Sequence, residues 1–258
     1  MIRQIVLQIS AQWIRLHATR TWQAVLLINC VPLVLITVIA RLLATHQGAD
    51  SDTFAASALS LGNGYAMYAT TLILLVAYAI DWGRDFDLRT IQLLAVRGIS
   101  PIPFVLGRYA MFVGIAVLAW VATRLTVILC SIGFGGMTAL SGEIPGPFLL
   151  WLGINLITLA VGTLLVILAE SAANGTVLVI AYLVLLEGII PQFLRFLGEA
   201  TGKPALSTIA QFATFALVRR FGTMEQSAFD PILLALYVVV PLIVAILLLK
   251  RRELGRLR

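Results

Sequence analysis

Residues 81–108, DWGRDFDLRTIQLLAVRGISPIPFVLGR, place charges, a glycine and two prolines between two long apolar runs. Asp85 and Asp87 precede Leu88, Ile91, Leu94 and Ala95. Arg97 then closes the last turn, Gly98 follows, and Pro101 and Pro103 prevent continuation. Acid first, base last, then Gly and Pro predicts a short helix with a start and a stop. Leu88, Ile91 and Ala95 share one side with Leu94 beside them, while Arg89, Gln92 and Arg97 point elsewhere. A helix of about ten residues does not stand alone in water. It packs either on the rest of its own chain or on a soluble partner, and the residues alone leave both open.

The flanking runs decide the solvent. Of 258 residues, 60% are hydrophobic and 12% charged, with a mean hydropathy of +1.01, which excludes an ordinary water-soluble domain. Runs long enough to span a bilayer lie at approximately 24–44, 64–80, 105–133, 148–170, 174–193 and 230–249. The expected fold class is an all-α polytopic membrane protein, a single transmembrane domain over 1–258 with six transmembrane helices. Arg3, Arg15, His17 and Arg20 ahead of the first span, and further spans behind it, argue against a cleaved signal.

The net charge of +6 does not form one patch, so nucleic acid is not an expected partner. It sits beside span ends. Arg3, Arg15, Arg20, Arg84, Arg89, Arg97, Arg108, Lys250, Arg251, Arg252, Arg256 and Arg258 fall on one side. The other has Arg195, Lys203, Arg219 and Arg220 among six carboxylates, including Glu143 and Glu225. The positive-inside rule then predicts both termini in the cytoplasm. Cys30 and Cys130 lie within apolar runs and read as small core residues.

Two segments are neither span nor ordinary loop. Ile2, Ile5, Val6, Ile9, Trp13 and Leu16 recur at helical spacing opposite Arg3, Gln4, Gln8, Gln12 and Arg15, so residues 1–22 are expected as an amphipathic interfacial helix. The competing reading is a straight extension of the first span. Residues 190–230 are broken by Pro191, Gly198, Gly202 and Pro204 yet stay apolar through Phe193, Phe196, Phe212 and Phe215. That pattern suits a re-entrant hairpin at the outer face with its phenylalanines against neighbouring spans, or a packed external cap.

Side chains for enzymatic chemistry are scarce. His17 and His46 are the only histidines and sit at opposite ends of the first span, so neither a His-based metal site nor a Ser/His pair is expected. GEATGK at 198–203 has one residue too few for a phosphate loop, and Pro204 follows where Ser or Thr belongs. Asn174-Gly175-Thr176 reads as a helix break and restart at a cytoplasmic turn. Arg124 and Glu187 are intramembrane charges, each costing roughly 2.5 to 3.5 kcal/mol at a helix centre. They face protein or water, as a structural pair, as residues snorkelling to the interface, or as part of a translocation path.

Taken together, this layout resembles the permease subunit of ABC-2 type ATP-binding-cassette exporters over nearly the full chain. The most specific stretch carries Asp85 and Asp87, Thr90, Leu93 and Leu94, Gly98, Ser100 and then Arg108 opening the next span. It departs from the family pattern at Arg89, where glycine is common, and at Pro101, where arginine is common. The resemblance implies that residues 81–104 form a cytoplasmic coupling loop. Its coupling helix would carry Asp85, Asp87, Leu88, Arg89, Thr90, Ile91, Leu94 and Arg97 and dock on a separate ATP-binding-cassette ATPase. ATP and Mg would be held by that partner and no cofactor or metal by this chain, which is itself non-catalytic. A second permease copy, identical or not, would complete the transporter in the bacterial cytoplasmic membrane, with lipid around it. The hairpin with Phe193, Phe196, Phe212 and Phe215 would be the outer gate, and Arg124 and Glu187 candidates for the path. Two other readings stay open: an ion-coupled secondary transporter, which internal repeats would favour, and a membrane anchor that recruits a soluble complex. No repeats are visible in the sequence.

Overall fold

The computed structural model describes residues 2–46, 64–91, 100–133, 145–210, 213, 216, 218 and 230–256, which are nearly all helical and contain no strand. In chain order the helices are α1 Ile2–Ala18, α2 Thr21–His46, α3 Thr71–Asp87, α4 Pro101–Gly133, α5 Pro145–Ala169 and α6 Ala172–Ala181, then α7 Ile190–Thr201, α8 Pro204–Ala210 and α9 Asp230–Arg256. A π-helical turn at Ala66–Thr70 leads into α3, and another π-helical stretch, Tyr182–Ile189, joins α6 to α7. Among the described residues, five helical stretches are long and apolar enough to cross a membrane: Thr21–Leu42, Pro101–Cys130, Phe148–Ala169, Ala172–Thr201 and Pro231–Arg251. By length and composition this is a membrane-embedded helical protein. The run expected as the second span is also helical, through the π turn and α3, but is not among those five. Tyr65, Tyr68, Thr70 and Thr71 make its first half the more polar one.

Helix α5 is the axis. In its apolar window 61% of residues are enclosed, against 17% for α9, so α5 has neighbours on most sides and α9 lies at the edge. Against α5 runs α3, held by a seam of buried polar bonds: Asn155 donates to Thr71 (3.2 Å), and Tyr78 Oη lies 2.7 Å from Thr163 Oγ1. The Thr163 hydroxyl donates to the Leu159 carbonyl (2.8 Å), so Tyr78 is the donor in that pair. The two contacts advance by similar steps along both helices, and α3 and α5 are therefore parallel. Each interhelical bond of this kind contributes about 0.6 kcal/mol in an apolar surrounding. Close approach matters as much. A Cβ on Gly162 would stand 2.6 Å from Leu75 Cδ1, and one on Gly83 would stand 2.1 Å from Ala172 Cα, at the start of α6.

Helix α1 does not continue α2. The chain turns through Thr19 and Arg20, whose φ of 54° lies in the left-handed region, and α2 starts afresh at Thr21. Its expected apolar face is divided. Leu16 is buried and Ile5 and Ile9 half-buried, but the bundle also takes Gln8 and Gln12, because α1 crosses α4 at Gly107, where a Cβ would lie 2.7 Å from Gln8 Cβ. Ile2, Val6 and Trp13 stay exposed.

The restart expected at Asn174 lies slightly earlier. Helix α5 ends at Ala169, Glu170 turns the chain at φ 54°, and Ser171 caps α6 by accepting from the Asn174 N–H. Gly175 is thus inside the first turns of α6, packed on Val166. Beyond the π-helical stretch, α7 and α8 pack against each other around Gly202, a left-handed cap at φ 64° whose N–H donates to the Gly198 carbonyl. The expected burial of phenylalanines fails for the two that are described. Phe193 is 56% and Phe196 65% exposed, because α7 packs inward through Pro191, Leu194, Leu197 and Gly198 and leaves the phenylalanine side outward. Phe212 and Phe215 lie outside the described residues.

Candidate functional site

Helix α3 runs through Asp87, two residues past the acid expected to open the short helix, so Asp85 and Asp87 finish one helix instead of starting the next. Acids at a helix C-terminus oppose its dipole. The fold answers each one separately. Asp87 Oδ2 accepts from the Ala172 N–H at the start of α6 (3.3 Å). Asp85, one turn after Asp81 and on the same face, is met by two arginines from other helices.

These four residues form a closed quartet. From α1, Arg15 Nη1 donates to Asp85 Oδ1 (2.7 Å), while Nη2 donates to Asp81 Oδ1 (2.7 Å) and to the Asp81 carbonyl (2.9 Å). From α4, Arg108 donates through Nη2 to Asp85 Oδ2, and its Nε lies 3.4 Å from Asp81 Oδ2. Two positive and two negative charges sum to zero. Their side chains are 30% (Arg15), 8% (Asp81), 4% (Asp85) and 0% (Arg108) exposed, so Arg15 plugs the site from outside and Arg108 lies wholly within it. The Arg108 guanidinium carbon is 4.6 Å from the Trp82 ring centre and 4.9 Å from that of Phe104. Desolvated cation–π contacts are worth about 2 kcal/mol or more, which offsets part of the cost of burying the charge. In such a site, losing a single partner is expensive because a buried charge is left uncompensated.

Mechanically, the quartet ties three segments at one end of the bundle. Asp85 stands just before the segment that links α3 to α4, Arg108 two turns into α4 beyond it, and Arg15 joins both to α1. The chain then leaves α3 through Leu88 and Arg89, where φ is 55°. Among the described residues, three corners at this end, at Arg20, Arg89 and Glu170, put a non-glycine residue in the left-handed region, each at a cost of roughly 1–2 kcal/mol.

The other residues singled out from sequence separate into distinct groups. Leu88 (73%) and Arg89 are exposed and Thr90 is half-buried, whereas Ile91 (7%) packs into the core. Leu94 and Arg97 lie outside the described residues. Asp85 is enclosed, so it holds the segment from behind and offers nothing to a partner. Arg124 and Glu187 form no mutual ion pair. The Arg124 guanidinium lies 5.3 Å from the ring of Trp120 on its own helix, and Glu187 accepts from Tyr182 Oη (2.9 Å) within the π-helical stretch. Among the described residues no group of His, Cys, Asp and Glu could hold a metal ion. Asp81 and the convergence on it were missed. Their signal was two carboxylates four residues apart on one face at the end of an apolar helix, which demands nearby cations.

The fold and this site define a class: a polytopic helical membrane protein with a net-neutral buried charge cluster at one end. Compared with known protein families, characterised proteins and solved structures, the chain matches none.

Proposed function

We propose that this chain is the membrane-spanning subunit of an ATP-driven exporter of the ABC-2 type. It moves a hydrophobic or amphiphilic compound across the bacterial cytoplasmic membrane with energy from a separate ATPase. In this reading six helices cross the membrane, α3 being the second, and both termini are cytoplasmic. The carrying observation is the quartet. The segment between α3 and α4 is clamped on both sides, by Asp85 and Arg108, to each other and to α1, so force applied to it reaches three helices at once. A lever for an external motor needs this stiffness at its root. Arg89 supports the same reading, since its left-handed backbone is the conformation that glycine, common at this place in the family, adopts without strain.

Docking falls to the exposed Leu88 and Arg89 together with the residues that follow. Ile91 is committed to the core, so its replacement would confound binding with folding. Arg124 and Glu187 are not joined as a structural pair: Arg124 lies over Trp120, and Glu187 accepts from Tyr182. The test is affinity purification from the native host in mild detergent, comparing wild type with a Leu88→Asp, Arg89→Glu variant. A nucleotide-hydrolysing subunit is expected with the wild type only, at equal melting temperature. Recovery of no such protein, or its equal recovery with both forms, rejects the proposal.

A further inference from the structure

Between α2 and α3 runs an open groove of about 480 Å³, lined along its depth by Val25, Ile28, Leu72, Ile73, Val76 and Ile80 and at one end by polar groups. We infer that it holds one acyl chain of an anionic phospholipid, with the headgroup at the Thr19–Thr21 corner beside Arg84. This inference stands independently of any ATPase.

Three observations select that occupant. First, length: from Leu72 to Arg84 the α3 wall rises about 18 Å at 1.5 Å per residue, slightly more than half of a hydrocarbon core about 30 Å thick, which is the reach of one leaflet's tail. Second, placement: the polar end adjoins the corner between α1 and α2, where the rings of Trp13, His17 and Trp22 cluster with centres 5.9–6.3 Å apart, and such aromatic clusters sit at headgroup depth. The α2 wall continues onto Leu27 and Val31, both more than half exposed, so the groove opens sideways to lipid.

Third, charge. Arg84 lines the polar end, and Arg20 occupies the adjoining corner. Both are exposed, and neither has an ion-pair partner among the described residues. The acid at the same end, Asp81, is already neutralised by Arg15 and Arg108. What remains at the mouth is uncompensated positive charge, with the Thr19 and Thr21 hydroxyls 2.8 Å apart beside it. A phosphodiester fits this set, while a zwitterionic headgroup would bring a cation against Arg84.

The experiment is native mass spectrometry of the detergent-purified, delipidated protein titrated with phosphatidylglycerol or phosphatidylcholine of equal chain length. Wild type is expected to retain one phosphatidylglycerol per chain, at least fivefold over phosphatidylcholine. Ala24→Trp, which fills the groove from an exposed position on α2, should abolish retention of both lipids. Arg84→Gln should keep binding but bring the preference near unity. Equal retention of both lipids by the wild type, or unchanged retention in Ala24→Trp with its melting temperature intact, overturns the inference.

Discussion

Replacing Arg108 by Met removes the one quartet cation that solvent cannot reach. Asp81 and Asp85 would then share Arg15 alone, leaving one uncompensated negative charge at positions where the acids are 8% and 4% exposed. Breaking a buried pair in this way costs about 3–5 kcal/mol. For a chain of this size that corresponds to a fall in Tm of roughly 6–20 °C, at 2–4 °C per kcal/mol. The methionine stem still fills space between Trp82 and Phe104, so cavity formation contributes little and the loss reports the charge. The informative companion is the double variant Asp85→Leu, Arg108→Met, which removes one charge of each sign and leaves Arg15 with Asp81. Apolar replacement of a matched buried pair is often neutral or better, and the double variant is expected to recover more than half of the loss. The coupling between the two sites should be at least about 2 kcal/mol, since the recovered loss adds to the cost of Asp85→Leu alone. Fluorescence-detected melting in mild detergent, with all four members of the cycle side by side, measures it. A single variant melting within about 2 °C of wild type, or strictly additive losses, would show that the four groups do not act as a unit.

Two further outcomes follow from the same end of the bundle. Gly83→Ala places a Cβ 2.1 Å from the Ala172 backbone and should cost about 1–3 kcal/mol through forced separation of α3 and α6; chemical denaturation of the purified variant checks it, and wild-type stability would contradict the packing. Arg89→Gly relieves a left-handed residue at φ 55° and should raise stability by about 1 kcal/mol, seen as a small increase in Tm. A decrease would mean that the Arg89 side chain contributes more than its backbone strain costs.

Helix content and membrane character were legible because both follow from local, additive properties. A run of twenty apolar residues must satisfy its backbone internally, whatever surrounds it. The break between α1 and α2, the turn around Gly202 and the corner near Ser171 were legible to within a few residues for the same reason. Where a helix ends depends on less local facts. Asp85 and Asp87 look like the opening of a helix, and a dipole rule applied to residues 81–108 alone assigns them so. They close α3 instead because Arg15 lies seventy positions before Asp85, Arg108 twenty-three after it, and the Ala172 N–H is supplied from α6. Ile91 and Phe193 show the same limit in the opposite sense. Both are apolar and helically spaced, yet one is buried and the other exposed, since hydrophobicity states that a side chain leaves water without saying whether protein or lipid receives it.

By itself, then, the chain's composition and periodicity determined the class of solvent, the helices and the charged interruption that sets one end apart. Only the tertiary structure decided which charges meet. Coulomb attraction falls off with distance in space, not along the chain, and the neutral sum of Arg15, Asp81, Asp85 and Arg108 exists only once three helices have brought them within reach.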